Sequence, residues 1–187
     1  MSGATLSFGS SSYLWMLGLL LFGRGADFLS TWVATPNLVL EGNPLARKLG
    51  WKFGGLLNLA LCLAMAFWTT TALVVVTASL LVAAHNFHFA WLMRSMGEEP
   101  FRHWFAVRVA EARLPLYVVC LLGETGLTAL IGAGVIFWSE MDSKAFAIGA
   151  GIVAYAVIVL FYTSLSLWRV RRKSRMMRNT NHEPLTH

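Results

Sequence analysis

The chain has 187 residues, a formal net charge of +6, 57% hydrophobic residues and only 13% charged ones, with a mean hydropathy of +0.61. That balance excludes an ordinary soluble domain and points to an all-α integral membrane bundle, since a span needs roughly 20 apolar residues. The basic excess has no nucleic-acid-binding signature around it, so nucleic acid is not expected as a partner.

In chain order, five windows qualify as transmembrane helices: 13–33, 53–68, 72–93, 114–138 and 145–168, the second being the shortest. The first is expected to stay in the mature chain, because no positive charge precedes it and no small-residue cleavage site follows. Three joints are plain: "TPN" at 35–37, "TTT" at 69–71 as a hairpin, and "SEMDSK" at 139–144 as a polar turn. Between the third and fourth spans, "GEEP" supplies acids and Pro100 at a helix start, and Phe101, Trp104, Phe105, Val109 and Ala112 recur at helical spacing. The stretch 101–113 is therefore expected to be an interfacial amphipathic helix, with Arg102, His103 and Glu111 toward water. Residues 1–168 form the membrane domain and 169–187 a basic tail. Cys62 and Cys120 lie inside spans without metal-ligand spacing and read as packing residues.

Orientation follows from lysine and arginine, which remain on the cytoplasmic side. With five spans, Arg47, Lys48, Lys52, Arg94, Arg102, Arg108, Arg113 and the tail share one side, leaving Lys144 on the other. Tryptophans agree: Trp15, Trp68 and Trp138 fall at outer ends, Trp32, Trp51, Trp91, Trp104 and Trp168 near inner ends. The expectation is a protein of the cell's inner (plasma) membrane, N-terminus outside and C-terminus cytoplasmic. Six basic residues from Arg169 to Arg178 suit anionic lipid headgroups, at about 1 kcal/mol each.

Against this apolar background, "RGADFLSTWVATPNLVLEGNPLAR" stands out from Arg24 to Arg47. Counting inward from the cytoplasmic ends at about 1.5 Å per residue puts Asn58 and His88 roughly 9 Å deep, Asp27 and His85 roughly 12–14 Å and Glu124 roughly 16 Å. Polar groups on four helices thus reach similar depth. Such residues are costly in hydrocarbon, so they normally face the bundle interior and mark function. Arg24, Asp27 and Thr31 share one helix face; they read either as a self-neutralising Arg24–Asp27 pair, with Ser30 and Thr31 bonded back to the helix, or as an Asp27 facing the other helices. In "HNFHF", His85 and His88 are three apart, as metal ligands, proton relays or packing residues would be. In "EGNP", Gly42 permits a turn, Asn43 a cap and Pro44 a helix start. The apolar Leu38, Val39 and Leu40 suggest that 37–43 folds back on the protein and offers Glu41 to the polar cluster, a cap-and-turn being the plainer alternative.

The pattern Asp27, Ser30–Thr31, Glu41-x-Asn43-Pro44, then Lys52 resembles the signature of an uncharacterised family of small prokaryotic multi-pass membrane domains. The likeness covers roughly the first two spans and implies no reaction. Zinc-protease, nucleophile-elbow and E-E-x-x-x-R motifs are absent, as is the aspartate array of CDP-alcohol transferases.

Three functions follow. In one, Asp27, His85 and His88 hold a divalent metal (zinc, iron or manganese), with Asp27, Glu41 and Glu124 as candidate catalytic groups acting on a lipid-like substrate. In another, the same groups form an ion or proton pathway, which few spans and no internal repeat would make a homo-oligomer. In the third, the cluster holds helices together in an accessory subunit of a larger membrane complex, with Gly126, Gly132, Gly149 and Gly151 allowing close helix contact.

Overall fold

Polar and proline-bearing breaks in the apolar sequence fall where helices end. The computed structural model describes residues 5–141 and 143–180. Over these residues the protein is all-α, with six helices: α1 (Ser11–Ala34), α2 (Pro44–Met65), α3 (Thr69–Met96), α4 (Glu98–Glu111), α5 (Leu114–Phe137) and α6 (Lys144–Thr180). Ser10 caps α1 by accepting from the Tyr13 N–H at 3.2 Å. Proline opens α2 and stands in the first turns of α4 and α5, where its missing N–H costs nothing.

Among the described residues, α3, α5 and the part of α6 reaching Arg172 are long and apolar enough to cross a membrane. Helix α1 has 24 residues but carries Arg24 and Asp27 in its second half. Helix α2 is broken at Gly50, whose φ of +65° is non-helical, so residues 51–65 supply about 22 Å of straight helix. The expected span started at Phe53 because Arg47, Lys48 and Lys52 interrupt the apolar run, whereas the helix begins at Pro44. The triple threonine is the first turn of α3 rather than the hairpin, which lies just before it. Helix α6 continues past Trp168 to Thr180, so the basic stretch starts as helix; residues 181–187 of the expected tail lie outside the described residues, as does Asp142 in the expected polar turn.

Helix α1 packs mainly on α3, α3 also on α6, and α6 on α5. The α5–α6 contact is close because it is built from glycine: a Cβ on Gly132 would come to 2.8 Å from the Gly149 carbonyl oxygen, and one on Gly149 to 2.8 Å from that of Gly132. Gly151 plays the same part toward α3, where a Cβ would meet Thr77 at 2.6 Å, whereas Gly126 has nothing within 4 Å. Tyr13, Leu20, Cys62, Ala66, Ala72 and Val76 form a buried core at the other end of α1, and the Tyr13 hydroxyl donates to the Leu63 carbonyl at 3.2 Å. Cys62 is thus a packing residue, while Cys120 is exposed on α5.

Two features frame the site. Contacts of α2 with α1 and α3 are sparse, so α2 stands away from the bundle and leaves a cleft. Helix α4 follows α3 and buries Phe101 and Val109, with Arg102, His103 and Glu111 exposed. Its C-terminal end is held by Arg171 of α6, whose Nη2 donates to the carbonyls of Val109 at 3.3 Å and Ala112 at 2.8 Å.

Candidate functional site: a polar and apolar cleft

The cleft beside α2 has a volume of about 620 Å³ and is lined by α1, the 35–43 connection, α2, α3 and α6. Its polar lining includes Arg24, Asp27, Thr31, Glu41, Asn43, Asn58, His85 and Asn86. Leu57, Leu61, Ile158 and Val159 supply apolar wall, and Tyr162 and Thr163 further polar edge. Asp27, Glu41, Asn58 and His85, singled out in the sequence, therefore share one cavity.

Arg24 organises the interior side of this cluster. Its Nη1 donates to Asp27 Oδ2 at 2.8 Å and to Ser79 Oγ at 3.3 Å, its Nε donates to Asn58 Oδ1 at 2.7 Å, and Nη2 donates to the same oxygen. The Asn58 amide also donates to the Gly54 carbonyl at 2.9 Å, which fixes its flip. One planar guanidinium thus joins α1, α2 and α3, a task for which a lysine's point charge is poorly shaped. The Arg24–Asp27 pair expected from helical spacing exists. Ser30 bonds back to the Asp27 carbonyl at 2.8 Å, while Ser30 and Thr31 both accept from the Asn86 amide, at 3.2 and 3.4 Å.

Glu41 enters from the connection. Its Oε1 accepts from the Asn43 N–H at 2.7 Å. Burial pushes its carboxyl above the ordinary range, against the opposing pull of the Asn43 N–H, the Arg47 charge and the Gly42 N–H. Its charge and that of Asp27 repel one another, so the cavity lining carries two carboxyl groups and, in Arg24, one guanidinium.

The connection is itself held by a residue not expected to contribute. Glu98, the first residue of α4, accepts from the Thr35 hydroxyl at 2.7 Å, the Asn37 N–H at 2.8 Å, the Asn37 side-chain amide at 3.0 Å and the Val39 N–H at 3.0 Å. Between the two backbone donors, Leu38 adopts a φ of +57°. That conformation costs a leucine roughly 1–2 kcal/mol, and it turns neighbouring N–H groups toward a common anion, a backbone nest. Charge-assisted hydrogen bonds offset the strain. Burial raises the Glu98 carboxyl, but the hydrogen bonds from Asn37, Thr35 and Val39 outweigh it and hold it below its usual value. Trp51 adds a second tie, its Nε1–H donating to the Pro36 carbonyl at 2.8 Å.

The remaining expected site residues sit elsewhere. His88 is exposed on α3 and packs edge-on against Phe89. Three residues rotate a helix by about 300°, leaving the two histidines about 60° apart, and only His85 lines the cleft. Glu124 on α5 is more than half exposed and lies outside the cleft lining, though its Oε1 is 3.6 Å from His85 Nδ1. Among the described residues, no three His, Cys, Asp or Glu side chains gather as a metal centre. Sequence reasoning missed Asn86 and Glu98. The first was hidden between two histidines, and the second was already explained as an acid at a helix start.

No protein-family model, curated protein or solved structure matches the chain.

Proposed function

We propose that this chain is an integral protein of the cell's inner (plasma) membrane whose cleft binds a lipid-like amphiphile from the cytoplasmic leaflet. In this reading α1, α2, α3, α5 and α6 cross the bilayer, α4 lies on its cytoplasmic surface, and the basic end of α6 meets anionic headgroups. The kinked α2 is short for 30 Å of hydrocarbon, and it crosses with its first segment, 44–49, in the interface. The D…ST…ExNP likeness rests on the same Asp27, Ser30, Thr31 and Glu41.

The observation that carries the reading is the continuity of the cavity. One space holds both the carboxylate-bearing cluster and the apolar wall of Leu57, Leu61, Ile158 and Val159. An amphiphile satisfies both surfaces at once. Arg24 is engaged by Asp27, Asn58 and Ser79, and the lining carries the two carboxyl groups of Asp27 and Glu41 against that single guanidinium, so the matching head bears a hydroxyl or an amine rather than a phosphate.

The test is native mass spectrometry of the detergent-purified chain with hexadecanol, hexadecylamine and hexadecyl phosphate. The alcohol and amine are expected to bind at least about tenfold more tightly than the phosphate and to lose affinity in the Asp27→Asn, Glu41→Gln double variant. Equal binding of all three, or binding indifferent to that variant, would overturn the reading.

A further inference from the structure

We propose that Glu98 is a positioning residue for the cleft: from the start of α4 it locks the 35–43 connection in the one conformation that presents Glu41 opposite Asp27. The connection has no regular secondary structure between Ala34 and Pro44, yet Thr35, Leu38, Leu40, Glu41, Gly42 and Asn43 all line the cavity. Something outside the connection must hold it. Glu98 is separated from its partners by 59 to 63 residues of sequence and takes up four of their donors. The lock is propagated inward by Thr35, whose hydroxyl donates to Glu98 and at the same time accepts from the Leu40 N–H at 3.1 Å. Leu40 directly precedes Glu41.

Two further features fit a lock rather than a casual surface contact. The left-handed φ of Leu38 is the conformation that aims the Asn37 and Val39 N–H groups at one oxyanion, and a leucine adopts it only when its surroundings impose it. The neighbouring acid behaves differently: Glu99 pairs with Arg102 on its own helix at 2.6 Å, and both are exposed. Helix α4 is in turn pinned at its far end by Arg171 of α6. The side chain that shapes the cleft therefore belongs to a helix fixed to the bundle on the opposite side. The inference rests on the amphiphile reading for what the connection serves, but the lock itself is measured without any ligand.

The experiment is hydrogen–deuterium exchange of the full chain in lipid nanodiscs, read on peptides covering 35–43. With Glu98 present, the Asn37 and Val39 amides exchange slowly. In Glu98→Ala their exchange is expected to accelerate at least about tenfold, and in Glu98→Gln to fall between the two, because the carboxamide keeps one acceptor oxygen and turns an NH₂ toward the other donors. Thr35→Val should free the Leu40 amide, and Glu99→Ala should change nothing. Exchange within twofold of the parent in Glu98→Ala, at parental helicity by circular dichroism, would overturn the lock; if that variant does not fold, Glu98→Gln and Thr35→Val decide by the same criterion. Hexadecylamine binding is measured on the same samples. An intact lock with no binding counts against the amphiphile reading alone, whereas binding with no change of exchange counts against the lock alone.

Discussion

Arg24 and Asp27 lie one turn apart on α1 and pair at 2.8 Å, yet the same guanidinium also reaches Asn58 on α2 and Ser79 on α3. The pair is therefore a three-helix junction. Arg24→Ala removes bonds to all three and leaves Asp27 without its counter-charge, with an expected loss of about 3 kcal/mol. Arg24→Lys should recover only part of it. Replacing Arg24 and Asp27 together with leucine should cost less than Arg24→Ala alone, as measured by thermal unfolding in detergent. Equal loss in single and double variants would show that the Asp27 charge is irrelevant to stability.

The reciprocal contact of Gly132 with Gly149 sets a second expectation. Alanine at either position forces α5 and α6 apart and should cost about 1–3 kcal/mol. Gly126→Ala, in open space, should be neutral or slightly stabilising through helix propensity.

Glu41 in the connection and Glu98, which holds the connection from α4, should respond to pH in opposite directions. Glu98 is held below its usual value, so its stabilisation is full above the ordinary carboxylate pKa of 4.5 and is lost as pH falls through the lowered value. Glu41 is raised; its contribution is full below 4.5 and is eroded as pH rises through the raised value, because the fold then carries a buried charge. Glu41→Gln should accordingly stabilise the protein at neutral pH and make no difference in acid, while Glu98→Gln should destabilise at neutral pH. Unfolding midpoints across a pH series check both signs.

Elemental analysis of tag-free protein supplied with zinc, iron and manganese tests the divalent metal expected from the sequence. A cation held in the cleft is expected at one per chain, lost in Asp27→Asn and in His85→Ala and retained in His88→Ala, since His88 lies outside the cavity lining. Metal that survives both cleft variants would rule out the cleft as its site.

A reporter fused after His187 is expected to be cytoplasmic, and one at the N-terminus external. The opposite result would reverse every depth assigned to Asp27, His85 and Glu124.

The helices were legible in the sequence because hydrophobic runs, Pro44 and Pro100 act locally. Their spatial partners were less so. Helical periodicity put His85 and His88 on a shared face, but it could not say that a 60° offset would separate a cleft residue from an exposed one. Depth alone grouped Glu124 with Asp27, since depth along a helix carries no information on direction around it. Glu41 was legible because an apolar run between Pro36 and Gly42 is out of place in a free loop. Glu98 was not, because its partners lie about sixty residues away and its own neighbourhood already accounted for an acid.

The Arg24 junction also has a consequence for biosynthesis. Helix α1 is made before α2 and α3, and at the centre of a lone helix arginine and aspartate each oppose insertion by about 2.5–3.5 kcal/mol. Asp27 is available to Arg24 at once, but Asn58 and Ser79 are translated 34 and 55 residues later. In the membrane reading, α1 waits beside the insertion channel until α2 and α3 emerge, and the three enter the lipid as a unit. Chains truncated before Ser79 should accordingly remain crosslinkable to the insertion machinery, and chains extended through α3 should be released.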